Sequence, residues 1–511
     1  MWKRLIPAFL FPALLILLPI LLRQETQQNS PEENTDILVA VSPHTEPIKY
    51  EFERAFRKYY KEQTGRDIRI DWRSLGGTND ITRYVEDRFT AEFRLAWLEK
   101  GNEYNNTVEK AFKDPKSESA ARKFFLDSQL GIGVDIFFGG GSYEHNNFAK
   151  KGFAVDSGTL QRHPEYFTDI PADFAGETIY DKQGRWFGCC LSSFGLAINP
   201  DRFREADLPI PESWQDLTKP ELFQKIAVAD PTKSGSVTKC YEMILQQAMA
   251  EYAPDLERGW QEGFRRIKLI AANSRYVTDS AGKLVRDVSS GAVMAGICID
   301  FYGFSEAEWT KKTTGAERLI YKMPRNGSAV TCDPVQMLRG APNRKAAELF
   351  VDFCVSPAGQ KLWLQKVGTA GGPEKFALLR TSVKKDLTKT IPRSDLSYPD
   401  YDPYAMAGTF SYKGAWTGRY FSLIRILIKC IALDPMDDLR TARESMIRNN
   451  AETEAMPLIA AMPFTYEQAA QMAKKLSSGT AAEQAKMRRE WTAFAVTQYR
   501  NAAKAAEEKK Q

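Results

Sequence analysis

The sequence has little of what a catalyst or a nucleic-acid binder would need. Only three histidines, His44, His145 and His163, occur in 511 residues, and they offer no obvious catalytic triad. No Lys/Arg run resembles a nucleic-acid footprint. The net charge of +5 is small against 70 basic and 65 acidic residues that are interspersed along the chain, so no nucleic-acid partner is expected. The seven cysteines lack metal-ligand spacing, and most lie in apolar runs such as Gly296-Ile297-Cys298-Ile299. They read as small buried hydrophobes, and a bridge between the adjacent Cys189 and Cys190 would be strained. No internal repeat and no long low-complexity segment is present.

What remains is an ordinary globular composition, 43% hydrophobic and 26% charged, in a chain long enough for two or three domains. The N-terminus departs from it. Lys3 and Arg4 precede an apolar run from Leu5 to Leu22 that is interrupted by Pro7, Pro12 and Pro19 and closed by Arg23. Residues 1–23 therefore read as a signal anchor or signal peptide. No small-x-small cleavage site follows Leu22, so a retained anchor is expected, with the rest of the chain exported. Residues 24–35 are a polar linker.

From Ile37 the pattern alternates between strand and helix. Ile37–Val41 reads as a buried strand ending at Ser42-Pro43-His44. A helix with Ile48, Phe52, Phe56 and Tyr59 on one face follows, and Gly65 ends it. Ile68, Ile70 and Trp72 mark a second strand, ending in Gly76-Gly77-Thr78. Val134–Phe138 is a third, ending in Gly139-Gly140-Gly141-Ser142. This βαβ order predicts an open, mostly parallel sheet with helices on both sides and a ligand at the carboxyl ends of its strands. Phe187–Asn199 is a further strand, and Ser192 and Ser193 in its middle suggest that it lines a crevice or crosses between lobes. Val293–Ile299 runs into Asp300-Phe301-Tyr302, and Val330–Leu338 returns through Asp333-Pro334. Between strand Lys225–Val228 and a helix from Val237 lies Ala229-Asp230-Pro231-Thr232-Lys233-Ser234-Gly235-Ser236. A loop of hydroxyl residues and glycine opening a helix leaves N–H groups for an anion, or is simply a capped turn. Thr465-x-x-Gln468 and Thr480-x-x-Glu483 read as capping boxes of two Ala-rich helices.

Taken in order, several segments resemble one group of proteins. They are Val-Ser-Pro-His-Thr-Glu, Asp-Ile-Phe-Phe-Gly-Gly-Gly, Ser-Phe-Gly-Leu-Ala-Ile-Asn-Pro, Pro211–Leu217, Ala229–Ser236, Gly340–Asn343 and Phe350–Phe353 with Ser356–Gln360. The group is the extracellular substrate-binding proteins of ABC importers, in their ferric-iron-binding branch. The resemblance spans about residues 37–385. It implies an α/β fold of two periplasmic-binding-protein lobes with hinge strands, lobe one being 36–190 plus 330–390 and lobe two 195–325. Residues 395–511 lie beyond it as an added helical C-terminal region, read as a brace packed on a lobe or a docking surface. It also implies a periplasmic location, an ABC-type permease as partner, a monomer, no cofactor and no enzymatic activity.

Iron-binding members use a His, a Glu and two adjacent tyrosines, because ferric ion favours hard oxygen donors. His44 stands where their histidine would be, but glycine occupies the position of the glutamate, and Asp300-Phe301-Tyr302 replaces the tandem tyrosines. His44 and Tyr302 are metal ligands only if ferric iron is the cargo. The departure favours a phosphorylated or anionic organic solute over ferric iron, with a polyamine or another solute third. The candidate ligand-binding residues are Ser42, His44, Gly77, Thr78, Gly140, Gly141, Ser142, Ser193, Thr232, Ser234, Gly235, Ser236, Asp300 and Tyr302. Each has a plainer reading: His44 as a helix cap, Asp300 as a cap or ion-pair partner, Tyr302 as packing.

Two other classes stay open. A membrane-anchored ligand sensor would use the same lobes. Ser236-x-x-Lys239 matches the pattern of acyl-transfer enzymes in which a lysine activates the serine, but the companion Ser-Asp-Asn and Lys-Thr-Gly motifs are missing.

Overall fold

The computed structural model describes residues 35–408 and 410–509, and the expected N-terminal anchor lies outside them. The first half of the sheet contains β1 (Thr35–Val41), β2 (Asp67–Arg73) and β3 (Ile136–Phe138), with β1 parallel to both neighbours. Side chains alternate across this sheet, so each strand feeds two cores. Leu38, Ala40, Ile136 and Phe138 face a cluster with Phe52, Phe56 and Trp363, while Val39, Val41 and Phe137 face another with Phe89, Phe93 and Phe125.

Helix α1 (Glu46–Thr64) buries Ile48, Phe52, Phe56 and Tyr60, a spacing of four that lays one stripe on the sheet. It carries Pro47 in its first turn and ends at Gly65, whose φ of 73° only glycine adopts freely. Helices α2 (Thr78–Glu99) and α3 (Ser142–Lys151) follow β2 and β3 in the same way.

Strand β4 (Phe187–Ile198) is buried along its full length and belongs to both halves of the molecule. Beyond it come β5 (Ile226–Ala229), α4 (Gly235–Tyr252), α5 (Leu256–Asn273), β6 (Ser274–Thr278), β7 (Ala295–Ile299), α6 (Asp300–Thr314), β8 (Ile320–Lys322) and β9 (Val330–Leu338). The sheet order is β2-β1-β3-β9-β4-β7-β5-β6, with β8 also on β4. The first part of β4 pairs with β9 and its last five residues pair with β7. One continuous strand therefore joins two lobes, with Ser193 and Phe194 at the handover. The expected parallel arrangement holds for β2-β1-β3 and for β7-β5-β6, but β9 is antiparallel to β3 and β4, and β4 is antiparallel to β7 and β8. A β-bulge interrupts β9 at Asp333/Pro334, where proline has no N–H to give the ladder.

Helices α7 (Arg344–Val355) and α8 (Pro357–Leu364) return the chain to lobe one. The C-terminal region contains α9 (Phe421–Ile428), α10 (Met436–Arg448), α11 (Glu452–Ala460), α12 (Ala469–Ser478) and α13 (Ala481–Glu508). It shares a single apolar core with lobe two: Leu427, Leu439, Met446 and Tyr499 cluster with Met243, Ile267 and Ile270. The Thr480 capping box opens α13 as expected. At Thr465 the reciprocal bonds form, but the helix proper begins one turn later, at Ala469. All seven cysteines are buried and unbridged. Among the described residues no helix is long and apolar enough to cross a membrane.

Candidate functional site

Parallel strands β1, β2 and β3 end side by side, and a helix starts just beyond each end. Three helix N-termini, each the positive end of a helix dipole, are thereby directed at one place. The turn after β3 closes the gap between them. Gly139 and Gly140 have φ of 90° and 94°, and a Cβ on Gly139 would lie 2.5 Å from the His44 ring. A Cβ on Gly140 would lie 3.0 Å from Thr78. Glycine is thus required here both by conformation and by contact. Gly139 is anchored by donating its N–H to the carbonyl of Pro334, in the bulge of β9, at 2.7 Å.

These contacts bring Ser42, His44, Thr78, Gly140, Gly141 and Ser142 together. Neither Thr45 nor Gly141, the caps of α1 and α3, offers a side-chain acceptor to its helix. In α1, Pro47 has no N–H and Ile48 donates to the Thr45 carbonyl at 3.1 Å, while in α3 the Glu144 carboxylate accepts its own N–H. Gly77 starts α2, where its own N–H is given to Asp80 at 3.2 Å. The hydroxyl of Ser42 accepts from the N–H of His44 at 3.1 Å. Glu144 folds its carboxylate back towards Gly141, and burial raises its pKa. His44 is 8% exposed, edge-on to Phe138, with Nε2 3.5 Å from Asp333. That separation is long for a hydrogen bond. Burial lowers the pKa of His44 and outweighs the opposing pull of Asp333.

A second group lies at the handover on β4. Asp300 begins α6 directly after β7, and its carboxylate accepts from the N–H groups of Ser193 and Phe301, each at 2.7 Å. Burial raises its pKa to about 6 against the pull of Arg380. The Ser193 hydroxyl is hydrogen-bonded to Tyr321 at 2.7 Å and to Tyr401. Arg380 connects the two groups. It donates to Asp333 at 2.5 Å and Ser192 at 3.2 Å, and its guanidinium lies 4.8 Å from the ring centre of Phe301. Thus His44, Asp333, Arg380 and Asp300 form one line of polar groups from the strand ends of lobe one to the start of α6.

The loop before α4 is largely closed on itself. Thr232 donates N–H and hydroxyl to Asp230, Ser234 caps Val237, and the hydroxyls of Ser234 and Ser236 are 3.0 Å apart. Gly235 is exposed. Lys239, one turn beyond Ser236, reaches Glu177 of lobe one at 2.9 Å as well as Glu242 at 3.0 Å, and sits 3.8 Å above the Tyr412 ring. The start of α4 therefore faces lobe one. The two carboxylates hold Lys239 as a cation against the burial that opposes them, which is the wrong state for a base that would activate Ser236.

Tyr302 packs against the core of lobe two, whereas Phe301 meets Arg380. The tyrosines that join Asp300 and Ser193 are Tyr321 and Tyr401. Arg380, Asp333, Tyr321 and Tyr401 join these groups without having stood out in the sequence as site residues. Only Asp333, a carboxylate inside an apolar strand, carried a local signal. A surface groove of about 960 Å³ on lobe two, lined by Leu208, Pro211, Leu222 and Phe410 among others, shares no residue with either group.

The model of the bacterial extracellular solute-binding proteins matches residues 134–398, a little over half of the chain. An uncharacterized protein of Haemophilus influenzae is 25% identical over 234 residues, 45% of this chain. The match spans 61% of that protein's length. Three solved structures are similar at low identity. The periplasmic binding protein AfuA from Actinobacillus pleuropneumoniae, with fructose-6-phosphate bound, is 18% identical with a TM-score of 0.42, covering 73% of this chain and 94% of AfuA. Iron-bound HitA from Pseudomonas aeruginosa is 15% identical with a TM-score of 0.47, covering 74% and 94%. The spermidine/putrescine-binding PotD from Streptococcus pneumoniae is 15% identical with a TM-score of 0.47, covering 76% and 99%.

Proposed function

The chain belongs to the bacterial extracellular solute-binding proteins, and from that premise we propose that it captures a small phosphorylated or anionic organic solute between its lobes and delivers it to an ABC-type permease. The observation that carries the ligand class is the convergence of three helix starts on the Gly139–Ser142 turn. Positive dipole ends of helices favour an anion. Arg425 adds positive charge that acts on Glu144, whereas Lys239 is already paired with Glu177 and Glu242. The solute's hydroxyl groups would meet Asp300 and Ser193. In this reading Ser42, His44, Gly77, Thr78, Gly140, Gly141 and Ser142 form the lobe-one wall, and Ser193, Asp300 and the Thr232–Ser236 loop form the other. Tyr302 contributes packing. Residues 1–23 would keep the receptor at the inner membrane, with the lobes in the periplasm.

A second reading, ferric iron as cargo, draws on the oxygen donors Asp300, Tyr321 and Tyr401. It has to overcome the burial that raises both phenol pKa values and so opposes phenolate. Among the described residues no three His, Cys, Asp or Glu side chains gather as a metal site.

Thermal unfolding of the full-length protein against hexose phosphates, phosphonates, ferric salts and polyamines tests the reading. A solute at about a thousand times its dissociation constant stabilises the native state by roughly 4 kcal/mol. Stabilisation by the phosphorylated compounds alone supports the proposal. Stabilisation by iron or polyamines alone replaces the ligand class.

A further inference from the structure

Residues 396–408 and 410–428 run between the lobes and set side chains on both groups of the candidate site. Tyr398 stacks on Phe304 of lobe two at 4.2 Å, and its hydroxyl donates to the Phe304 carbonyl. The Tyr401 hydroxyl meets Ser193 and lies 3.3 Å from Asp300. Tyr404 then returns to lobe one, donating to the carbonyl of Val383 at 2.7 Å. Tyr412 joins both lobes: its N–H donates to Ala175 and its hydroxyl to Glu242, each at 2.7 Å.

Farther along, the Phe421 ring lies 6.4 Å from Tyr143, the second residue of α3. Arg425 follows four residues later on the same face of α9, so it stands beside the start of α3. It is half-buried and forms no ion pair among the described residues. Its charge reaches Glu144. A segment that only braced lobe two would bury apolar groups, as Leu427 and Ile428 do. It would have no reason to set a hydroxyl on Ser193 and Asp300, or an unpaired guanidinium by the glycine turn.

We propose that residues 396–428 form a third wall of the solute crevice, in which Arg425 and Tyr401 are binding residues supplied from outside the two lobes. This rests on the anion reading above. Arg425 would pair with the phosphate held at the Gly139–Ser142 turn, and Tyr401 would read the hydroxyl-bearing body of the solute near Asp300. Guanidinium offers two parallel donors to a phosphate, so its loss is felt strongly.

The test is calorimetric titration of the full-length protein with a hexose monophosphate, inorganic phosphate and, separately, spermidine. Arg425→Gln should weaken the hexose monophosphate and inorganic phosphate by about tenfold or more. Arg425→Lys should recover part of that loss, and the unfolding temperature of the unliganded protein should be unchanged. Tyr401→Phe should weaken the hexose monophosphate several-fold and leave inorganic phosphate alone. Variants that bind both phosphates as the wild type does would reduce the segment to a brace and overturn the proposal, with the anion reading intact. A wild type that takes spermidine and neither phosphate overturns the anion reading. The third wall then survives only if the same variants change spermidine affinity. A wild type that binds none of the three overturns both.

Discussion

Asp300 accepts the N–H of Ser193 at 2.7 Å, and this bond ties the start of a lobe-two helix to a strand that runs through both lobes. The carboxylate is 3% exposed, so its charge is costly even though Arg380 offsets part of that cost. Its folded pKa of about 6 lies above the unfolded value near 3.9. A raised carboxyl favours the protonated form in the native state. The resulting penalty is absent below about pH 4, grows as pH rises and is complete above about pH 6.

The Asp300→Asn variant should therefore gain on the wild type as pH rises. Urea unfolding of both proteins at pH 4 and pH 7 should show their stability difference moving by about 2–3 kcal/mol in favour of the variant. An unchanged difference would mean that Asp300 is ionised without penalty.

Gly139→Ala should be costly for two reasons. The φ of 90° is strained for a side chain, and the new Cβ would press on the His44 ring at 2.5 Å. A loss of about 1–3 kcal/mol in denaturant unfolding is expected, with anion binding lost as His44 is displaced. Retained stability and retained binding would show that the turn is not held against His44.

Glu144 sets its carboxylate over the helix start that an anionic solute would use. Glu144→Gln keeps the shape and removes the competing charge. Calorimetry should find a hexose phosphate bound several-fold more tightly by the variant. Weaker binding would make Glu144 a ligand for a cationic group instead.

Leu439 is fully buried in the core that lobe two shares with the C-terminal region. Leu439→Ala should cost about 2–5 kcal/mol. Because the core is common to both, fluorescence and circular dichroism should still report one coincident transition. Two separate transitions would show the C-terminal region folding apart from lobe two.

Much of the local structure around the candidate lobe-one site was legible in the chain. Periodicity located α1 at Glu46–Thr64, and the glycines after Val134–Phe138 marked a turn that local conformation demands. These are local signals, written in consecutive residues. The crevice's other members come from distant segments. Arg380 meets Asp333 and Ser192 only because the chain returns through α7 and α8, and Tyr401 reaches Ser193 across 208 positions of sequence. No spacing rule marks a single arginine or tyrosine as belonging to a site assembled by tertiary contacts. The Ser-x-x-Lys match erred in the opposite direction. Its residues are close in sequence, yet Lys239 turns to Glu177 and Glu242.

The most direct measurement is a crystal structure of the protein grown with a hexose monophosphate. The phosphate is expected between the lobes, within hydrogen-bond reach of the N–H groups of Gly140–Ser142, with the sugar hydroxyls towards Asp300. A phosphate bound outside the crevice, or a ferric ion held by Tyr321 and Tyr401 in its place, would contradict it.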